Sequence, residues 1–359
     1  MADGCSGRAD VVDGVVDGDT DVCPLVVTAG CPVVVKGHSA HPGTGEIVAE
    51  AIHAAVEGCG MPRGGFSLIQ GGNRAVGQAV VQHPLIKAVG FTGSLTGGRA
   101  LFDLCAARPE PIAFFGELGS VNPMFMLPAA MEARAEELGK GWAASLTMGA
   151  GQFCTNPGIA VVIDGAGADS FVQSAAAALE GVAEQVMLTD GIAKAFCAGR
   201  DKFKAEQSLR QVHVADSSGR NAAPALFETT GAEFKANPAL HEEVFGPLGL
   251  VVRVASIDEM RALAAELEGQ LTITLHMDDA DIDAARTLMP VLERKAGRLL
   301  ANGFPTGVEV VDSMVHGGPY PASTNFDATS VGTLSIRRFL RPVSYQNLPQ
   351  ELMPDDVTG

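Results

Sequence analysis

The sequence predicts an α/β fold, with a parallel sheet in the first part of the chain and a second α/β domain after it. Short apolar runs rich in Val and Ile recur along the chain, and stretches of helical length separate them. Gly and Pro punctuate the joints. That alternation is the pattern of βαβ units, whose strands are buried on both faces. The chain has 359 residues, enough for two domains and a large core. Its 47% hydrophobic and 19% charged residues are a globular composition, neither disordered nor fibrous.

The elements follow in order. Residues 1 to about 22 carry six Asp with Val pairs between them, hold neither a helical nor a strand period, and read as a frayed lead-in. From Cys31 the rhythm is regular. Pro32 to Lys36 is a strand, Thr44 to Val56 a helix, and Phe66 to Gln70 a strand between Gly64-Gly65 and Gly71-Gly72. Ala75 to Gln82 is a helix, Ile86 to Phe91 a strand, Leu95 to Ala107 a helix and Ile112 to Phe115 a strand. After Gly119 the lengths change. Strands are expected at Met124 to Leu127, Ile159 to Ile163, Leu209 to Val214, Ala225 to Thr229, Leu248 to Val254, Leu271 to His276 and Leu299 to Ala301. Helices fit Ala130 to Met148, Ser170 to Leu179, Ile257 to Leu267 and Ile282 to Arg294. From Leu334 the chain is rich in apolar residues, a tail expected to pack on something, another subunit included.

A formal charge of −17 repels nucleic-acid phosphates and anionic lipid, so neither is an expected partner. The seven Cys, at 5, 23, 31, 59, 105, 154 and 197, are odd in number and form no CxxC pair. A disulfide framework and a structural metal site are therefore not expected, and a reducing cytoplasm is. No basic-then-apolar leader follows Met1, and the apolar stretch Cys23 to Val35 is broken by Pro and Gly and too short to span a membrane.

Several segments suit chemistry. Cys154 follows a helix inside Met148-Gly149-Ala150-Gly151-Gln152-Phe153-Cys154-Thr155-Asn156-Pro157-Gly158. Small neighbours let a substrate and backbone N–H donors approach the sulfur, as a thiolate nucleophile requires. Taken alone, the segment equally suits a buried structural Cys. Glu117 ends an apolar strand in Phe115-Gly116-Glu117-Leu118-Gly119, where α/β proteins place ligands; a general base and a turn carboxylate both fit. Phe91-Thr92-Gly93-Ser94 leads from a strand into a helix start, whose free N–H groups suit a pyrophosphate. Lys36 ends a Val-rich strand, placed to reach a ribose hydroxyl or phosphate or simply solvated. Glu242-Glu243-Val244-Phe245-Gly246-Pro247 sets an acid and an aromatic in one turn, a holder for a flat cationic ring or a plain surface turn.

Together and in this order, these five segments resemble the aldehyde dehydrogenase superfamily. The similarity runs from Cys31 to Met353. Asn302-Gly303-Phe304-Pro305-Thr306-Gly307 and His316-Gly317-Gly318-Pro319 are similar to the branch with ketoglutarate semialdehyde and NADP-dependent fatty aldehyde dehydrogenases. The resemblance implies a Rossmann-type cofactor domain, incomplete here, plus an α/β catalytic domain. It implies NAD(P)-dependent oxidation of a semialdehyde or fatty aldehyde to an acid. Cys154 attacks the aldehyde to give a thiohemiacetal and then a thioester, which water activated by Glu117 releases. Lys36, Ser39, Arg74, Gly93, Ser94, Glu243 and Phe245 hold NADP or NAD; Lys36, Ser39 and Arg74 together favour a 2′-phosphate. A small-molecule aldehyde is the expected partner, in a homo-oligomer with no metal. The implied domains are an acidic lead-in at 1–30, the C-terminal part of the dinucleotide-binding domain at 31–119, a catalytic domain at 120–333 and a bridging tail at 334–359.

Members of the family also carry a longer N-terminal part with an Asn that serves the oxyanion hole, and no equivalent precedes Cys31. The expectation is an N-terminally truncated chain, either active or a catalytically impaired remnant that binds a partner or a full-length subunit.

Overall fold

The computed structural model describes residues 13–17, 29–308 and 311–354. The chain divides into two compact units. The first holds the residues up to Glu117 together with Val310–Val315 and Ala328–Gly359; the second holds Leu118–Glu309 and His316–Asp327.

In the first unit the strands are β1 (Asp13–Asp17), β2 (Val33–Lys36), β3 (Phe66–Ile69), β4 (Ile86–Thr92) and β5 (Ala113–Glu117). Helices α1 (Pro42–Gly58), α2 (Arg74–Gln82) and α3 (Leu95–Ala106) lie between them in sequence. The sheet is parallel throughout, in the order β3-β2-β1-β4-β5. Chain order reverses between β1 and β4, the switch point where open α/β sheets bind ligands at strand carboxyl ends. The strand sequences are apolar on both sides because both faces are covered. Val33 and Val35 join one core cluster, Val34 and Val89 the other. Asn73 caps α2 and Ser94 caps α3, each side-chain oxygen accepting an early backbone amide.

One expectation is corrected here. The acidic lead-in is not frayed at 13–17, where β1 pairs with β2 on one side and β4 on the other. Asp-Gly-Val-Val-Asp is too short for a period to register, and its place in the sheet comes from two neighbouring strands rather than from local pattern. The rest of 1–28 lies outside the described residues. The apolar tail has a partner within its own unit: Phe339 is fully buried in the cluster of Cys31, Val33 and Phe66, edge-on to Phe115 with ring centroids 5.8 Å apart.

In the second unit the strands are β6 (Met124–Met126), β7 (Ile159–Ile163), β8 (Gln185–Val186), β9 (Arg210–Val214), β10 (Asn221–Ala222), β11 (Ala225–Thr230), β12 (Leu248–Val254), β13 (Gln270–His276) and β14 (Ala296–Ala301). Its helices are α4 (Pro128–Thr147), α5 (Ala166–Glu180), α6 (Asp190–Ala205), α7 (Gly231–Ala236), α8 (Ile257–Glu266) and α9 (Ile282–Leu292). Seven strands form one sheet in the order β14-β13-β6-β7-β12-β11-β9. All its pairs are parallel except β9 with β11. Along β7, Ile159 and Val161 enter one core and Ala160 and Val162 the other. The long helix α4 has no side-chain cap of its own. Asp281 supplies one from outside, its carboxylate accepting the amides of Ala129 at 2.8 Å and Ala130 at 3.0 Å.

Helix α6 is absent from the sequence reading. Its buried face is Ala193, Phe196, Arg200 and Phe203 at helical spacing, and the Arg among them breaks the apolar stripe. Arg200 is buried because Asp201 and Ser217 accept its guanidinium N–H groups. Among the described residues no helix is long and apolar enough to cross a membrane.

Candidate functional site

The loop around Cys154 is built from α4 outward. After Thr147 the chain makes a short turn in which Gly149, Ala150 and Gly151 all have positive φ, at 57°, 59° and 67°. Gln185 straps this turn at both ends: its Oε1 accepts the Ala150 amide at 3.1 Å and its Nε2 donates to the Thr147 carbonyl at 3.0 Å. Gly151 admits no side chain. A Cβ there would lie 2.3 Å from the carbonyl carbon of Gly246, so the loop rests directly on the turn that carries Glu243 and Phe245. Downstream, Asn156 Nδ2 donates to the Leu146 carbonyl and Trp142 Nε1 to the Pro157 carbonyl, tying the far side of the loop back to α4.

Cys154 itself is partly buried. Its Sγ lies 3.5 Å from Nε2 of His316, which is 3% exposed. His316 begins the His-Gly-Gly-Pro segment, which lies against β14 and β13. A Cβ on Gly297 would meet the Gly317 carbonyl oxygen at 2.3 Å, and one on Gly318 the Gln270 carbonyl oxygen at 2.2 Å. That fit fixes the imidazole beside the sulfur. The contact sets the imidazole at the spacing that a thiol and a base need to exchange a proton. Arg298, half-buried on β14, donates to the carbonyls of Pro305 and Gly307. Burial pulls its pKa below the usual arginine value, and the Cys154 sulfur pulls it back up, which places the guanidinium within electrostatic reach of that sulfur.

Glu243 and Phe245 line a recess with Ser120, Gly151 and Asn156. Glu243 is exposed as a residue, but protein crowds its carboxyl. That desolvation pushes its pKa from 4.5 to about 8, and the backbone amide of Ser120 pulls it partly down.

The remaining expected residues sit in the first unit, at the carboxyl edge of its sheet. Lys36 is the last residue of β2, Arg74 the first of α2, and Gly93 and Ser94 follow β4 into α3. Ser39 and Arg74 are exposed, and Gly72 lies against Ser39, with 3.6 Å between its Cβ position and the Ser39 Cβ. Glu117 ends β5 and is 6% exposed, its carboxylate accepting the Ser330 hydroxyl at 2.7 Å.

Sequence reasoning did not place His316 beside Cys154, nor Gln185 against its loop. His316 stood out only within a phrase similar to one branch of a family. Its distance from Cys154 in sequence, 162 residues, leaves no local signal for the contact.

The chain matches the model of the aldehyde dehydrogenase family over residues 21–320. It is 50% identical over 345 residues to alpha-ketoglutaric semialdehyde dehydrogenase 2 of Azospirillum brasilense, covering 96% of this chain and 65% of that protein. It is 45% identical over 336 residues to the alpha-ketoglutaric semialdehyde dehydrogenase of Acinetobacter baylyi, covering 92% of this chain and 63% of that one. The chain thus spans just under two thirds of the length of both relatives. Its fold is similar to aldehyde dehydrogenase C of Pseudomonas syringae, with a TM-score of 0.80 at 20% identity over 95% of this chain and 70% of that one. With the family model matched over most of its length, the chain belongs to the aldehyde dehydrogenase family.

Proposed function

We propose that this protein oxidises an aldehyde to a carboxylic acid with NADP or NAD, and that the aldehyde is a short semialdehyde. The contact between Cys154 Sγ and the buried His316 carries the reading, since it sets a thiol beside an imidazole in a loop of small residues. The semialdehyde class is supported by the names of the relatives at 50% and 45% identity.

Cys154 adds its sulfur to the aldehyde carbon, giving a thiohemiacetal, with the Cys154 backbone N–H as a donor to the developing oxyanion. His316 and Arg298 face the sulfur, the imidazole as the base that takes its proton and the guanidinium as a nearby cation. Glu117 takes the proton from the water that releases the acid from the sulfur. The first unit fits a dinucleotide: an all-parallel sheet with a switch point, two cations and two hydroxyl side chains at its carboxyl edge, and the α3 N-terminus. Lys36, Ser39, Arg74, Gly93 and Ser94 would hold its ribose and phosphates, and Glu243 and Phe245 its nicotinamide end. When bound, that cofactor supplies the hydride acceptor. Lys36, Ser39 and Arg74 together favour a 2′-phosphate. We also propose that the protein works as a homo-oligomer.

The test is formation of reduced cofactor, followed at 340 nm, with a panel of semialdehydes and fatty aldehydes. Turnover by the unaltered chain and none by Cys154→Ala supports the reading. Equal turnover by both proteins removes Cys154 from the nucleophile role.

A further inference from the structure

Cys154 is the second residue of a tight turn, Phe153 to Asn156, closed by the Asn156 amide donating to the Phe153 carbonyl at 3.0 Å. The middle peptide of such a turn, here between Cys154 and Thr155, is its softest part. Type I and type II turns differ by turning that one peptide over. Turning it would change ψ of Cys154, on which the rotamer of its side chain and so the aim of the sulfur depend.

This peptide is held. Asn122 Nδ2 donates to the Cys154 carbonyl at 2.9 Å and to the Asn156 carbonyl at 2.9 Å. The Asn122 amide cannot be reversed, because both of those carbonyls only accept and would then face its oxygen; in the present orientation that oxygen accepts the Thr272 hydroxyl at 3.0 Å and lies 2.9 Å from the Ser120 hydroxyl. Its backbone is fixed as well. The amides of Val121 and Asn122 both donate to Gln270 Oε1, at 2.9 and 3.1 Å. Asn122 is fully buried and adopts φ of 46°, a left-handed conformation that Asn tolerates better than most residues. Gln270 and Thr272 stand on β13, a strand buried along its whole length between β14 and β6. The network therefore runs from a buried strand of the sheet to the carbonyl of Cys154. A purely structural role needs no contact with Cys154; here two of the three carbonyls served by Asn122 Nδ2 belong to the Cys154 turn.

We propose that Asn122 is a positioning residue for the nucleophile: it pins the middle peptide of the turn and so holds the Cys154 sulfur at its distance from His316. The proposal rests on the reading of Cys154 as a reactive thiol, and the test separates the two. The full chain is alkylated with iodoacetamide, the sulfur displacing iodide, and the rate constant at Cys154 is followed by peptide mass against the exposed Cys59. The rate is measured across pH, in the presence of the groups that face the sulfur within its unit, His316 and Arg298. Three variants are compared: Asn122→Gly, which keeps positive φ available; Asn122→Asp, which keeps the shape but loses both donors; and Thr272→Val, which frees the amide to rotate but spares it. Misplacement of a reacting atom lowers rates steeply, so both Asn122 variants slow alkylation at Cys154 on the order of tenfold or more. Their pH profiles shift, and Thr272→Val shows a smaller change in the same direction. A folded Asn122→Gly protein with the wild-type rate and profile overturns the positioning role. If instead Cys154 of the unaltered chain reacts no faster than Cys59, the reading of Cys154 as nucleophile fails first.

Discussion

The sulfur of Cys154 lies 3.5 Å from Nε2 of His316, and the imidazole is held there by glycines that let its backbone lie against β13 and β14. The role proposed for His316 is to take the proton of the Cys154 thiol. His316→Ala is then expected to slow iodoacetamide alkylation of Cys154 near neutral pH by about tenfold, the loss expected when a thiol gives up its base. His316→Gln, which keeps a donor, recovers part of the rate. An unchanged rate in both variants would leave the contact as packing alone.

Glu117 is buried at the end of β5 and hydrogen-bonded by Ser330. In the role proposed for it, the base of the second half-reaction, it is dispensable for acylation and needed for release. Glu117→Gln is then expected to give one equivalent of reduced cofactor and stall, with steady-state turnover down on the order of 100-fold or more. Mass spectrometry of the stalled protein shows an acyl adduct on the Cys154 peptide. Wild-type turnover with no adduct would take Glu117 out of that role.

What could be read in the sequence was what local pattern encodes. The run Val33 to Lys36 and the run Leu248 to Val254 are strands because short runs rich in Val and Leu are satisfied with both faces covered. The positions of Lys36, Ser94 and Glu117 followed, since each ends or follows such a run. The strand at Asp13–Asp17 was illegible because its neighbours, not its residues, select it. Helix α6 was hidden by Arg200, a buried cation satisfied by Asp201 and Ser217. Asn122 and Gln270 lie in different segments, and nothing within either segment marks the hydrogen bonds that join them.

Glu243 gives a pH dependence with a definite sign. Its pKa in the folded chain is raised to about 8 from 4.5, so between those values the folded state holds a proton that the unfolded state has lost. The stabilising contribution is complete below about 4.5 and is lost as pH rises through about 8. Screening at this solvent-exposed residue keeps the effect small. Melting temperature followed from pH 4.5 to 8 should fall less in Glu243→Gln than in the unaltered chain. The charge that would receive a ribose hydroxyl is present above this window, so dinucleotide affinity should rise with pH across it. Identical melting profiles for the two proteins would mean that Glu243 titrates as an ordinary surface carboxylate.

Gly151 decides whether the nucleophile loop can rest on the turn that carries Glu243 and Phe245. Its φ of 67° penalises any side chain, and a Cβ would stand 2.3 Å from Gly246 backbone. Gly219 isolates the first effect from the second, since its φ is 57° but its Cβ position has no atom within 4 Å. Gly219→Ala therefore carries only the conformational cost, roughly 1–2 kcal/mol. Gly151→Ala adds the displacement of packed backbone, a further 1–3 kcal/mol or so by the usual cost of overpacking. Denaturant unfolding of the two variants measures the difference. The functional outcome separates them more sharply. Gly151→Ala pushes the loop off its seat, slowing alkylation of Cys154 and weakening dinucleotide binding together, whereas Gly219→Ala changes neither. Equal stability and equal thiol reactivity in the two variants would mean that the loop yields without cost, and that the seat on Gly246 does not set the position of Cys154.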